Sequence, residues 1–117
     1  MSLEEFYASV GGDYADVIQR LCIEEIVVEF LLRFAEEPIM ERLQKAIDAR
    51  DQEEAFIISH TLKGTCINMG LGTLYSSASR LTEALRGEFR PEAPELFEAL
   101  KRDHQDAVRG IRALQGK

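Results

Sequence analysis

Apolar residues recur along this chain at the three- and four-residue spacing of amphipathic helices, and no segment predicts a strand convincingly. Gly11-Gly12 interrupts an opening segment, and Asp13 is placed to cap a short helix after it. Pro38 lacks a backbone N–H and clashes with the preceding turn, so it predicts a break between two further helical stripes. Those stripes are Ile23, Ile26, Val27, Phe30, Leu31 and Phe34 before the proline, and Ile39, Leu43, Ala46 and Ile47 after it.

A longer helix is predicted from about Gln52 to Met69. Asp51 followed by Glu54 has the N-cap and N3 spacing of a capping box, which satisfies free N–H groups in the first turn. Gly70 and Gly72 supply the stop, because glycine readily adopts the left-handed conformation beyond a helix end. The predicted core stripe of this helix is Ala55, Ile58, Leu62, Cys66 and Met69.

Two more helices complete the pattern. One carries an apolar stripe that ends before Gly87, and the other begins near Pro91 or Pro94, where a missing N–H costs nothing. Helices joined by short loops predict an all-α antiparallel bundle. The two stripes are Leu74, Ala78, Leu81 and Leu85 in the first helix, and Ala93, Phe97, Leu100, His104, Ala107, Ile111 and Leu114 in the second.

Length and charge narrow the class of protein. The 117 residues fit one domain, with a short N-terminal helical segment over 1–21 and a bundle over 22–115. A net charge of −7 repels nucleic acids and anionic membranes, so the expected partner is a protein or a small molecule. The chain shows neither a membrane-spanning run nor the features of a signal peptide, and its two cysteines form no disulfide framework. We therefore expect a cytoplasmic protein.

One histidine lies on the wrong side of its helix for a core residue. At about 100° per residue, His60 falls nearly opposite the predicted core stripe and should face solvent. Phe56, Ile57 and Ile67 share its side, one turn before it and two turns after it. Apolar side chains around an exposed polar centre predict a protein-docking surface. The alternative for these three residues is that other helices cover them.

The residue types around His60 suit phosphoryl transfer. A neutral imidazole keeps a nitrogen lone pair near pH 7 and can attack phosphorus without a base. Lys63, at i+3, offers a mobile positive charge to phosphoryl oxygens, although a merely solvated lysine is the alternative. Gly64 costs about 1 kcal/mol inside a helix, and its missing side chain would leave room for a phosphoryl group and a partner.

The remaining histidine and the cysteines fit structural roles. His104 lies on the apolar seam of the last helix, so we interpret it as a buried or half-buried core residue. Cys66 lies on a core stripe and fills space as a small apolar side chain. Cys22 has no activating partner in the sequence and is also interpreted as structural. The spacing of these residues matches no compact zinc pattern.

The segment around His60 resembles a known family. The run His60-Thr61-Leu62-Lys63-Gly64, continued by Thr65-Cys66-Ile67-Asn68-Met69-Gly70, resembles the HxLKG…G signature of histidine-phosphotransfer (HPt) domains. The resemblance extends to residues 30–34, 43–51 and 81–85, which are similar to the helices on either side in that family. It therefore covers nearly the whole chain.

This resemblance implies a fold and a set of roles. The fold is a four-helix, up-down-up-down bundle with a short extra N-terminal helix. His60 takes the phosphorylated position, Lys63 the phosphate-contacting position and Gly64 the position of close approach. The implied partners are receiver domains of response regulators or hybrid sensor kinases in a two-component phosphorelay. The magnesium ion belongs to the receiver, so this chain is expected to need neither a metal site nor a cofactor. We also expect the chain to be a monomer.

Two classes of function remain open. The first is a phosphoryl carrier, which is not an enzyme, since the sequence has no nucleotide-binding segment for a kinase module. The second is a non-phosphorylated adaptor on the same fold, which binds and inhibits a receiver or a sensor kinase. The intact His60, Lys63 and Gly64 favour the carrier, because an adaptor needs no histidine there. The sequence does not favour a hydrolytic or metal-dependent enzyme, because it has neither paired carboxylates nor a cluster of metal ligands. The starting methionine and compact ends favour a freestanding protein.

Overall fold

The described part of the chain folds into helices joined by short turns. The computed structural model describes residues 1–21 and 23–116, except for the side chains at 115 and 116. Within these residues there is no strand, which confirms the all-α class, and no helix has the length and apolar character to cross a membrane. The helices are α1 Leu3–Ser9, α2 Tyr14–Leu21, α3 Glu24–Glu36, α4 Ile39–Asp48, α5 Gln52–Met69, α6 Gly72–Ala84 and α7 Ala93–Gly116.

The N-terminal segment forms two short helices rather than the single extra helix that the family resemblance implies. Gly11 has a φ of 69°, which allows the chain to turn between α1 and α2. Ser2 and Glu5 form a capping box at the start of α1. Asp13 accepts a hydrogen bond from the backbone N–H of Asp16 at 3.2 Å, so it has the predicted capping role at α2.

This N-terminal pair of helices is anchored to the turn between α5 and α6. The Tyr7 hydroxyl is buried and donates a hydrogen bond to the carbonyl of Met69 at 2.8 Å. A Cβ atom at Gly12 would lie 2.0 Å from the carbonyl oxygen of Gly70, so only glycine permits this contact between the two turns. The far end of α5 is thereby fixed in place.

Pro38 separates α3 from α4 as predicted, but α3 presents a different face to the core from the one expected. Its buried residues are Val27, Leu31 and Phe34. Ile23, Ile26 and Phe30 are 49%, 37% and 38% exposed, so assigning them to the core was wrong. The six predicted positions span an arc too wide for one helix interface. The helix is rotated towards Val28, Leu32 and Ala35, which pack partly against the core.

The helices pack around one core. α5 packs against α4 and α6, and α7 packs against α6, α3 and α4. The predicted stripe of α4 is buried, as is that of α7 from Ala93 to Ile111. Pro94 lies in the first turn of α7, where its missing N–H removes no helical hydrogen bond.

The ends of α5 fall where the sequence predicts them. Asp51 caps the start by accepting a hydrogen bond from the N–H of Glu54 at 3.1 Å. The predicted reciprocal half of the capping box is not formed, because the Asp51 N–H donates instead to the carbonyl of Ala46 at 2.9 Å. Gly70 ends the helix with a φ of 73°, and the N–H of Leu71 donates to the carbonyl of Cys66.

Candidate functional site

The long helix α5 has one buried face and one exposed face. All five residues of its predicted core stripe are buried, and His60 is exposed on the opposite side. Ile57 and Ile67 are 53% and 55% exposed, so other helices do not cover them. Phe56 is half-buried. The structure therefore presents an imidazole between exposed apolar side chains along one helix face.

The rings of His60 and Phe56 are in contact. Their centroids are 5.6 Å apart, with an angle of 41° between the ring planes. His60 thus faces solvent as expected, but its ring is not free of contacts within the protein. Phe56 comes one turn earlier on α5, so the i,i+4 geometry of the helix brings its side chain beside the imidazole. The guanidinium carbon of Arg86 lies 5.3 Å from the centroid of the same Phe56 ring, within the range of a cation–π contact.

An ion pair at the C-terminal end of α6 adjoins this group. The Arg86 guanidinium donates to the Glu83 carboxylate, with a shortest distance of 2.8 Å. This hydrogen bond is the main cause that lowers the pKa of Glu83, and the charges of Arg86, Lys63 and Arg90 lower it further. The same hydrogen bond raises the pKa of Arg86. Lys63 is half-buried on α5.

Gly64 has no packing role within the described chain. It lies in the interior of α5, is exposed, and a Cβ atom built there meets no atom within 4 Å. Glycine inside a helix destabilises it by about 1 kcal/mol relative to alanine. The packing of the described residues therefore does not explain why a glycine stands at this position, one turn from His60.

The structure brings all of the candidate residues onto one stretch of surface and adds two that the sequence analysis missed. Glu83 lies in the last turn of α6 and Arg86 just beyond its end, and the sequence analysis assigned neither residue to the site. A signal for Arg86 was present, because Phe56 and Arg86 stand at equal sequence distances on either side of Leu71. In two antiparallel helices joined by a short turn, such positions lie side by side.

The second histidine lies in the core, as predicted. His104 is 9% exposed, its ring centroid is 5.7 Å from that of Phe34, and its Nε2 atom is buried without a hydrogen-bond partner. Burial lowers its pKa, while the charge of Glu41 acts in the opposite direction. Cys66 is also buried and free, and burial raises the pKa of its thiol to about 12. The structural interpretation of Cys22 falls outside the described residues.

Fold and site together define a helical bundle with an exposed histidine on α5. The family model for the Hpt domain matches residues 26–110 of the chain. This range contains α4, α5 and α6 with most of α3 and α7, so the chain belongs to the Hpt domain family. Hpt domains are phosphotransfer carriers. The comparisons with curated proteins and with solved structures gave no significant match.

Proposed function

We propose that this protein carries a phosphoryl group on His60 between receiver domains of a two-component phosphorelay. The observation that carries the proposal is an exposed imidazole, opposite the core stripe of α5, within the range of residues matched by the Hpt family model. Lys63 is the proposed phosphate contact, and Gly64 the point of close approach. The cytoplasm is the proposed compartment.

The proposed step is a reversible displacement at phosphorus. A ring nitrogen of neutral His60 attacks the phosphorus of an aspartyl phosphate on the receiver with its lone pair. The N–P bond forms while the P–O bond to the aspartate breaks, and the carboxylate leaves with the bonding electrons. Reversal returns the phosphoryl group to a receiver. In this proposal Mg²⁺ belongs to the receiver, and the chain supplies the nucleophile and the Lys63 charge.

The apolar residues of the same face are the proposed docking surface. Phe56, Ile57 and Ile67 lie before and after His60 along α5, and the two isoleucines are more than half exposed. Burying them against a receiver would remove water from around the reacting atoms. Docking of this kind requires only one copy of the chain, so we propose that the protein acts as a monomer.

The four-helix, up-down-up-down arrangement also belongs to this proposal. The order of packing supports it, because α5 and α6 are neighbours, α6 and α7 are neighbours, and α7 returns to α3 and α4. On this view α3 and α4 together make one broken arm of the bundle, and α1 and α2 lie outside the four arms.

The test uses a receiver domain labelled on its aspartate with radioactive phosphate. The wild-type protein should take up the label in an acid-labile, alkali-stable form, as phosphohistidine does. His60→Gln should take up none, whereas His104→Gln should remain an acceptor as long as thermal melts show that it folds. Acid-labile label on His60→Gln would refute the assignment of His60. Receiver binding by the wild type without any transfer would instead indicate the non-phosphorylated adaptor.

A further inference from the structure

We propose that the Glu83–Arg86 ion pair is a counter-ion switch for the phosphorylated site. In the unphosphorylated protein Glu83 holds Arg86, and when His60 carries a phosphoryl group Arg86 exchanges the carboxylate for the phosphoryl oxygens. The proposal rests on the proposed function of His60. Its consequence is that the pair sets how the phosphoryl group is divided between His60 and a receiver.

The geometry places the pair within reach of the phosphorylated ring. The Phe56 ring has the imidazole of His60 at 5.6 Å and the guanidinium of Arg86 at 5.3 Å. Phe56 is therefore a neighbour that both side chains share, and in the proposal the long Arg86 side chain moves from this ring to the phosphoryl oxygens by rotation of its own bonds. The Phe56 ring keeps the guanidinium close to the site before any phosphoryl group arrives.

Glu83 holds the cation that contacts the Phe56 ring. Arg86 lies just beyond the end of α6, and its guanidinium donates to the Glu83 carboxylate in the last turn of that helix. The charge of Lys63 on α5 also lowers the pKa of Glu83. Arg86 is thus partly neutralised by a carboxylate while the histidine is unphosphorylated.

The ion pair is weak enough to exchange. The side chains of Arg86 and Glu83 are 52% and 60% exposed, and exposed ion pairs of this kind contribute little to stability. A phosphoryl group brings close to two negative charges and three acceptor oxygens near pH 7, against the single charge of a carboxylate. Arginine forms bidentate hydrogen bonds with phosphate as well as with carboxylate, so the phosphoryl group is the stronger acceptor for Arg86.

Two substitutions should shift the phosphoryl equilibrium in opposite directions. Arg86→Gln removes a cation that stabilises phosphohistidine. Glu83→Gln releases Arg86 and removes a negative charge that repels the phosphoryl group. A purely structural ion pair would behave differently, since breaking it from either side should have the same consequence.

A matched control exists on α7. Asp106 and Arg109 form an exposed i,i+3 pair at 3.0 Å with the same order of charges along the helix. Among the helix packings observed in the described residues, α7 contacts α6, α3, α4 and α1, whereas α5 lies between α4 and α6. Asp106→Asn and Arg109→Gln therefore make the same changes of charge away from His60.

The experiment measures the equilibrium distribution of label between the protein and a phosphorylated receiver. Both proteins are kept dilute relative to the strength of their docking, and times are short relative to hydrolysis. Under these conditions the equilibrium between the free proteins does not depend on how tightly they dock. A residue that acts only in docking would alter the rate of transfer and leave this equilibrium unchanged.

We expect Arg86→Gln to lower the equilibrium constant for phosphohistidine formation by roughly tenfold, the effect of one charge-assisted hydrogen bond. Arg86→Lys keeps the charge and should recover most of the loss. Glu83→Gln should raise the constant by about two- to fivefold, since the exposed pair that it breaks is weak. The two α7 variants should match the wild type.

The outcomes separate this inference from the proposed function. If Arg86→Gln and Glu83→Gln both leave the equilibrium unchanged, or shift it in the same direction, the switch is refuted, while label on His60 still supports the carrier. If the α7 variants shift it equally, the effect is one of net charge and the switch is also refuted. If His60→Gln retains acid-labile label, the carrier itself is refuted.

Discussion

The two histidines of this protein have similar aromatic neighbours and opposite surroundings. His60 lies 5.6 Å from the ring of Phe56 on the exposed face of α5, and His104 lies 5.7 Å from the ring of Phe34 in the core. The ring contact therefore does not distinguish them. What differs is access, since a partner can reach the exposed imidazole of His60, whereas that of His104 is enclosed by its own helices.

The residues one turn further along each helix sharpen this comparison. Gly64 follows His60 and leaves open space, whereas Ala107 follows His104 and is buried with it. One turn beyond its histidine α7 therefore places a buried side chain in the core, whereas α5 leaves open space at the surface. The predictions below test whether these two environments are functionally separate.

The largest expected effect is at Gly64. Gly64→Arg should reduce transfer from a labelled receiver by about 100-fold or more, because even an ångström of misplacement between reacting groups costs that much. The substitution keeps His60 and adds a positive charge, so a loss of activity identifies bulk as the cause. Initial rates of label transfer measure the effect.

The control at the same position is Gly64→Ala. Since an added Cβ meets nothing within 4 Å, alanine should stabilise the fold by about 0.5–1 kcal/mol, as measured by urea unfolding. Normal binding and transfer by Gly64→Arg would place the docking face elsewhere and remove the functional contrast between the two helices.

The second prediction compares truncation of the two histidines. His104→Ala should lower the free energy of unfolding by about 2–3 kcal/mol, because it opens a cavity in the core. His60→Ala should change that free energy by less than about 0.5 kcal/mol, since its side chain is exposed. Urea unfolding measures both. Equal losses from the two substitutions would show that His60 also belongs to the packed structure.

The helices with one clear face were predictable from the sequence. α5 and α7 each combine a regular apolar stripe with a residue that fixes an end. All five residues of the predicted α5 stripe are buried, although the buried Ser59 was missed. His60 was recognised as exposed for the same reason, since a single helix determines its direction. Gly70 ended α5 as predicted because its left-handed conformation depends on local sterics alone.

The contacts between helices were less predictable. The wide apolar stripe of α3 allowed several rotations, and packing against α7 and α2 selected one that exposes Ile26 and Phe30. The contact of Arg86 with Phe56 likewise depends on how α6 lies against α5. Local spacing determines which way a side chain points from its own helix, but the identity of its neighbour depends on the fold.

The third prediction concerns the docking surface. Phe56→Ala should weaken receiver binding by about tenfold, as expected for an aromatic anchor of an interface, and should lower the free energy of unfolding by only about 1 kcal/mol. Phe89→Ala is the matched control, because Phe89 is also half-buried and carries the guanidinium of Arg50 at 4.5 Å. Titration of a labelled receiver measures binding. If both variants bind equally well, Phe56 is not part of the docking surface.

The smallest expected effect is on how the free energy of unfolding depends on pH, and it comes from His104. Burial lowers the pKa of His104 below its ordinary value of 6.5, so the unfolded chain takes up a proton before the folded one does. The free energy of unfolding should therefore be independent of this group above pH 6.5. It should fall as the pH drops from 6.5 through the lowered pKa of the folded state.

Two variants determine the sign of that dependence. His104→Phe keeps a ring against Phe34 and removes the titrating group, so the fall in stability attributed to His104 should disappear. Glu41→Gln removes the carboxylate that raises the pKa of His104, so the fall should become larger. Urea unfolding at several pH values between 5 and 7.5 measures both slopes, at roughly the range in which histidines titrate. An unchanged slope in His104→Phe would mean that another group causes it, and the buried histidine would then contribute shape alone.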